Sequence, residues 1–253
     1  MSPLFPSRGS LLCSAAAAVG LAACALGQGR AAPDPAAEMA RMTDHLADLV
    51  ERLAPSVVLI RPPADPFRGE PPAAGFIVDP GGIVLTASHV LPAGDRVDVE
   101  LSDGRRLGGR ILGRDEGADL AALKIDSPGP LPALRLGDSE RVRIGELVLA
   151  IGHPFGFQQA VSLGIVSWKG PPPGEGPRDF DFIHTDAAIG PGHSGGPLVN
   201  VAGEVIGVHS RAARGGAMGI AVPSALVKRL LPRLVAGAGA GREGPGADGC
   251  PGA

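Results

Sequence analysis

The chain reads as an all-β body with one helix before it and one after it, and three observations predict this. Short apolar runs recur at close spacing between residues 57 and 222. Gly, Pro and Asp punctuate the runs, and no helix-period segment separates them. About a dozen strands in succession, without crossover helices, make antiparallel barrels or a sandwich and exclude a parallel α/β sheet.

The elements follow in order. In residues 36–53, Met39, Met42, Leu46, Leu49, Val50 and Leu53 fall close to helical spacing and Pro55 ends the pattern, which predicts an amphipathic helix leading into the body. Residues 61–74 are rich in proline and polar side chains and read as a loop. Strands are expected at 57–60, 75–78, 83–86, 97–101, 120–125, 147–151, 161–168, 181–185, 197–201, 205–208 and 218–222. After Pro223-Ser224, Leu226, Val227, Leu230, Leu231 and Leu234 return to helical period, so a closing helix is expected. Residues 237–253 are almost entirely Gly, Ala, Pro and charge; such a tail cannot bury enough apolar area to offset ordering entropy and is expected to be disordered. Trp168 is expected in the core, because the chain has few other aromatics. No internal repeat and no heptad run is visible.

A length of 253 residues suits one large or two small domains. Hydrophobic residues at 44% and charged residues at 19% are ordinary for a chain with a real core. The net charge of −3 comes from 23 basic and 26 acidic residues scattered without a basic run, which excludes an electrostatic footprint for nucleic acid.

The amino terminus has the plan of an export signal. Arg8 supplies a positive charge, and an apolar run of thirteen residues follows from Leu11 to Ala23. That run is too short for a membrane span of ~20 residues. Two endings fit it. Leu21-Ala22-Ala23-Cys24 resembles the lipobox of bacterial lipoprotein signals, which makes Cys24 a candidate lipid anchor; a plain signal cut near Ala31 or Ala32 would discard it. The expected organisation is a signal over 1–24, a linker and helix over 25–54, the main domain over 55–236 and the tail over 237–253. Cys13 and Cys250 fall in signal and tail, so a disulfide framework and thiolate metal sites are excluded from the folded part. The six histidines show no short helical spacing of a zinc site, and no metal is expected.

The strongest chemical signal is Gly192-His193-Ser194-Gly195-Gly196-Pro197-Leu198. A hydroxyl is a poor nucleophile unless a base takes its proton and a preorganised site stabilises the oxyanion formed on attack. Glycines beside Ser194 let the backbone turn sharply and aim the amides of Gly192 and Ser194, with His193 between them, at one point. Thr86-Ala87-Ser88-His89-Val90 puts a histidine at a strand end, where it can act as a base. Gly117-Ala118-Asp119-Leu120 puts an aspartate at the start of another strand, where it can hold an imidazole in one tautomer.

These motifs together resemble the HtrA (Deg) family of trypsin-like serine proteases. The resemblance runs from about Leu46 to Leu234. It includes Ala54-Pro55-Ser56-Val57-Val58, Gly75-Phe76-Ile77-Val78, the His89 and Asp119 motifs, Ala150-Ile151-Gly152-His153-Pro154-Phe155-Gly156, Thr185-Asp186-Ala187-Ala188-Ile189 and the Ser194 motif, in the family's order. It implies two six-stranded antiparallel β-barrels, with His89 as general base, Asp119 as orienting carboxylate and Ser194 as nucleophile. It also implies an oxyanion site at Gly192, His193 and Ser194, and no cofactor. Peptide bonds in unfolded or misfolded proteins, in the bacterial periplasm or cell envelope, are the substrates it implies. Trimers are common in the family, but no motif here carries that property over.

Departures qualify the expectation. The family usually has Asn-Pro-Gly-Asn before the nucleophile, whereas Gly190-Pro191-Gly192-His193 stands here. Gly190 loosens the turn and His193 brings an imidazole to the oxyanion site, so a catalytically weak scaffold or binding protein is the competing class. About twenty low-complexity residues follow the last expected helix, so no PDZ domain is expected. By the resemblance, the base of the primary pocket lies six positions before the nucleophile, at Ala188, and substrate-binding positions are expected at Ala188, His209 and Ser210. No carboxylate waits at the base for Arg or Lys, so a small or aliphatic residue is expected before the scissile bond. Loops 170–178 and 210–216 are expected to shape the cleft and to order on binding. His153, His184 and His209 are expected as structural residues satisfied by backbone hydrogen bonds, and Asp186 as a buttress for loop amides.

Overall fold

The computed structural model describes residues 34–61, 72–154, 159–171, 179–212 and 218–237. The expected signal with Cys24, the tail from 238 onward and most of the two cleft loops lie outside the described residues. The chain divides into an amino-terminal unit ending at Asp44 and a second unit from His45 onward. Residues 34–44 of the first are the opening of helix α1 (Pro35–Leu53). Asp34 caps it, its Oδ1 accepting the Ala36 N–H at 3.1 Å, which satisfies a donor that the first helical turn leaves free.

The second unit holds twelve strands: β1 (Val57–Arg61), β2 (Ala73–Asp79), β3 (Ile83–Thr86), β4 (Arg96–Glu100), β5 (Arg106–Asp115), β6 (Leu120–Ile125), β7 (Leu147–Gly152), β8 (Ala160–Gly170), β9 (Phe182–Thr185), β10 (Pro197–Asn200), β11 (Val205–Ala212) and β12 (Gly219–Pro223). They close into two six-stranded antiparallel barrels, ordered β1-β2-β3-β6-β5-β4 and β7-β8-β9-β12-β11-β10. The two orders are the same, so the architecture repeats although no sequence repeat betrays it. Closure pairs every edge and leaves no strand open for aggregation. Helix α2 (Ser224–Ala236) follows β12 and buries Leu226, Val227 and Leu234.

Each barrel has its own apolar filling. Val58, Ile60, Ile77, Val84, Val99, Leu123 and Ile125 fill the first, and Val148, Ala150, Val166, Ile183, Leu198 and Ile206 fill the second. A larger cluster joins them: Val57, Phe76, Leu85 and Leu120 from the first barrel pack in one group with Ile151, Val199, Val208 and Val222 from the second and with Leu226, Val227 and Leu234 of α2. The junction between the barrels is therefore core, not a hinge.

Two expectations fail here for one physical reason. β5 was not foreseen, and Trp168 is not in the core but 39% exposed on β8. In β5 a register shift between Ile111 and Gly113 breaks the alternation that betrays a strand. On β8 a shift between Val166 and Trp168 leaves Val166 fully buried and turns Trp168 outward, against His184 at 4.6 Å between ring centroids.

Candidate active site

The first barrel brings His89 and Asp119 together through strand register. β3 pairs with β6, and Thr86 stands opposite Ala121. The chain leaves β3 at Thr86 and enters β6 at Leu120, so residues just outside these ends meet. Thr86 is pinned at the rim, its buried hydroxyl donating to the Ala74 carbonyl at 2.8 Å. One residue later a 3-10 turn (Ser88–Val90) carries His89. On the other side, the Asp115 carboxylate accepts the Ala118 N–H at 2.9 Å and tightens the β5–β6 turn. Asp119 then takes a left-handed conformation, φ 54°, which a residue with a Cβ adopts only when its surroundings impose it.

The result is a close pair. His89 Nδ1 lies 2.9 Å from both Asp119 carboxylate oxygens, and the His89 backbone N–H donates to Oδ1 at 3.1 Å. With Nδ1 committed to the acid, Nε2 is the ring nitrogen left for a substrate or nucleophile, on a side chain that is half exposed. Burial works against a charge on Asp119, but hydrogen bonds from His89 and Ser210 outweigh it and hold the carboxyl below the ordinary aspartate range.

The second barrel supplies the nucleophile loop. β10 pairs with β11 so that Pro197 faces Val208. The ladder continues past the strand end, with the Gly195 N–H donating to the His209 carbonyl at 2.7 Å and the His209 N–H to the Gly196 carbonyl at 2.9 Å. Gly192, at φ 96°, and Gly195, at φ 83°, hold left-handed conformations, and a Cβ on Gly195 would collide with the Thr86 hydroxyl and the Ala74 carbonyl. The sharp turn expected around Ser194 is present. The amides of Gly192 and Ser194 donate to no acceptor among the described residues, whereas His193 N–H closes a turn onto the Gly190 carbonyl at 3.0 Å.

Two contacts carry the loop across to the first barrel. The Ala74 N–H donates to the Ser194 carbonyl at 2.9 Å, and the Ser210 hydroxyl donates to Asp119 Oδ2 at 2.5 Å. The Ser194 hydroxyl donates to the Ser210 carbonyl at 3.3 Å, not to His89. Ser210 therefore touches Asp119 and Ser194 at once. Sequence reading named it as a substrate-binding position and missed this role, which only long-range contact reveals.

Other expected positions fall as follows. Ala188 is exposed, and its carbonyl accepts the Ser162 hydroxyl at 2.8 Å. His209 is fully buried, so its imidazole is no substrate contact; its backbone serves the nucleophile loop instead. Nor is the ring of His209 satisfied by a backbone hydrogen bond: the Pro197 carbonyl attracts its proton without reaching hydrogen-bond geometry, and neither ring nitrogen has a partner among the described residues. His153 likewise leaves Nδ1 unpaired, whereas His184 Nε2 does meet the Gly170 carbonyl at 3.1 Å. Desolvation pushes His153 down to about 4 and His209 down to about 3, so both are neutral near pH 7. Asp186 accepts the Ile165 N–H at 2.7 Å, an amide of strand β8 and not of a loop beside Ser194. Among the described residues no cluster of His, Cys, Asp and Glu could hold a metal.

Two antiparallel barrels with an imidazole–carboxylate pair on one and a glycine-framed serine on the other, all at the junction, define the trypsin-like class of protein. Comparison with known proteins agrees: residues 73–208 match the model of the trypsin-like peptidase domain, and the chain belongs to that family. The relatives it matches are of HtrA type. Serine protease HTRA1 of Xenopus tropicalis is 44% identical over 196 residues, which cover 74% of this chain and 42% of the relative. A probable periplasmic serine endoprotease DegP-like from Hahella chejuensis is 45% identical over 181 residues, 67% of this chain and 38% of the relative. The chain thus spans about two-fifths of the length of these relatives. Among solved structures, an HtrA-type protease, AlgW with a tripeptide, superimposes with TM-score 0.66 at 38% identity, over 75% of this chain and 63% of that one.

Proposed function

We propose that the chain is a serine endopeptidase that hydrolyses peptide bonds through an acyl-enzyme, with His89, Asp119 and Ser194 as its triad. The observation that carries this reading is the double engagement of Asp119, which holds the His89 imidazole on one side and, through Ser210, the strand that touches Ser194 on the other. In the reaction, His89 Nε2 takes the Ser194 proton as the hydroxyl attacks the scissile carbonyl, and later returns it to the leaving amine. Asp119 keeps Nδ1 protonated and stabilises the imidazolium; positioned proton transfer of this kind contributes about 10²- to 10⁴-fold. The unengaged amides of Gly192 and Ser194 receive the oxyanion, and removing one such donor costs about 10²- to 10³-fold in turnover. By the resemblance, Ala188 stands at the base of the primary pocket, and the lack of a carboxylate there favours a small or aliphatic residue before the cut.

Unfolded or misfolded proteins outside the cytoplasm are the proposed substrates. The signal-like run from Leu11 to Ala23 and a relative named as periplasmic support that location. Mass measurement of the mature amino terminus decides whether Cys24 carries lipid. Cleavage of unfolded casein by the wild type but not by Ser194→Ala is the expected outcome, and equal cleavage by both defeats the reading.

One observation favours the second class, a weakly active scaffold: the Ser194 hydroxyl rests on the Ser210 carbonyl. Catalytic hydrogen bonds in substrate-free enzymes are often long and tighten only with substrate bound, so this contact alone does not exclude His89 as the base. A fluorophosphonate probe separates the classes, since only an activated Ser194 labels.

A further inference from the structure

We propose that His193 is a proton-sensitive positioning residue: its neutral imidazole braces the oxyanion turn at Gly190, and protonation releases that brace and loosens the turn presenting the Gly192 and Ser194 amides. The inference rests on the peptidase reading above and adds to it an acid-operated control that sits inside the oxyanion loop.

The geometry supplies the brace. His193 Nδ1 lies 3.3 Å from the Gly190 N–H and 3.2 Å from the Gly190 carbonyl. A neutral ring with its lone pair on Nδ1 accepts the Gly190 N–H. An imidazolium carries protons on both nitrogens and can only donate. A proton on Nδ1 turns the ring from the Gly190 N–H to the Gly190 carbonyl, whose second lone pair lies 3.2 Å away beside the bond it accepts from the His193 backbone N–H at 3.0 Å, so the Gly190 amide is the group that loses its acceptor when the ring is charged. Glycine at position 190 has no side chain to hold the turn by other means, which makes the imidazole its brace.

The surroundings do not welcome the charge. His193 is 6% exposed, and burial lowers its proton affinity while the Gly190 carbonyl only partly restores it. The ring packs onto Gly152 at the end of β7, where a Cβ would stand 2.9 Å from its Cδ2. His153, next along, donates its backbone N–H to the Gly192 carbonyl at 2.9 Å, and His209 faces the same loop from β11. Charges on His193 and these two oppose one another, since each of the pair is pushed down by His193. Glu100 and Arg61 of the first barrel act on His153; no carboxylate among the described residues supports a proton on His193. The oxyanion loop is therefore framed by three buried imidazoles whose proton affinity burial lowers.

The test is NMR on Ser194→Ala protein, which cannot digest itself, titrated downward from about pH 8. The Gly190 and Gly192 amides should shift in one step with the His193 ring, at a midpoint below the ordinary histidine value of about 6.5, and His193→Asn, which offers an acceptor that does not titrate, should abolish that step. A step that persists in His193→Asn, or a ring that titrates without moving these amides, or one that stays neutral until acid unfolding, overturns the proposal. If His193→Asn fails to fold by Trp168 fluorescence, His193→Gln takes its place. In kinetics, each profile is normalised to its own plateau and the acid limb of the Asn variant is the reference. Wild type should lose a further tenfold or so in kcat/KM per pH unit below the His193 midpoint, and the Asn variant should not. Wild type that never labels with fluorophosphonate near pH 8 counts against the peptidase reading alone, and the amide titration still judges the brace.

Discussion

Ser210→Ala is the sharpest perturbation of the junction, because it removes one hydroxyl and leaves every backbone contact in place. That hydroxyl donates to Asp119 Oδ2 at 2.5 Å across the barrel boundary. A hydrogen bond to a charged group is worth ~1.5–3 kcal/mol. The Asp119 side chain keeps 21% of its surface exposed, so water partly replaces the lost donor, and the lower end of that range, about 1.5 kcal/mol, applies. For a chain of this size the melting temperature falls by about 2–4 °C per kcal/mol, hence by about 3–6 °C. Loss of the tie also lets the carboxylate drift from Nδ1 of His89, and a similar energy in the transition state means roughly tenfold in kcat/KM. The acid behaviour gives an independent check. Burial resists the charge on Asp119, and hydrogen bonds from His89 and Ser210 overcome it, so the folded pKa lies below the unfolded one. Stability from that difference is complete above the unfolded value of about 3.9 and is lost as pH falls through the folded one. Wild type and variant should therefore differ at pH 7 and converge in acid as the carboxyl protonates in both. Urea titrations at the two extremes, with turnover at pH 7, measure this. A melting shift under about 1 °C, or a gap that stays constant into acid, refutes the argument.

Other substitutions probe the remaining parts. Asp119→Asn removes the charge that His89 and Ser210 both engage, so it should lower melting by at least as much as Ser210→Ala and lower kcat by about 10³- to 10⁴-fold, because the amide no longer enforces the productive His89 tautomer; a loss under tenfold in a peptide assay contradicts it. Gly195→Ala places a Cβ against the Thr86 hydroxyl and the Ala74 carbonyl at φ 83°, so calorimetry should register at least about 2 kcal/mol of destabilisation. Leu49→Ala opens a cavity under α1, where Leu49 is 1% exposed, and denaturant unfolding should report a loss of about 2–5 kcal/mol with the acid limb of activity unmoved.

Local grammar made the three residues of the proposed triad legible. Each sits in a short run whose composition states its backbone requirement: apolar strand then His89, turn then Asp119, glycine-framed Ser194. The two barrels followed from strand count and resemblance. What escaped was non-local or depended on a broken period. Ser210 and Asp119 stand 91 positions apart, and nothing near either announces the other. β5 shows consecutive Ile111 and Leu112 where alternation was needed, and Trp168 lies beyond a bulge that reverses its face. His209 was expected both as a structural residue and, by resemblance, as a substrate-binding position, and local sequence does not show that its side chain is fully buried. Its position on β11 directs the ring into the interior behind Ser194.

Neither barrel owns a complete site. Asp119 spends three contacts on His89 within its own barrel and one on Ser210 in the other, and the Ser194 backbone is fastened to Ala74 of the first barrel. Side chains separated by a seam stay in register only if the seam cannot slide. The apolar cluster that runs from Phe76 and Leu85 to Ile151 and Val208 provides that resistance, since close-packed interiors have discrete arrangements and do not deform smoothly. Alignment of base and nucleophile is thus a property of the core beneath them as much as of the hydrogen bonds above. The loop at Gly190 draws on both kinds of support: Ile189 packs against the second barrel's apolar cluster, while Gly190 itself meets the His193 imidazole, so on the proposed reading a proton there acts on the turn and leaves the packed core beneath it in place.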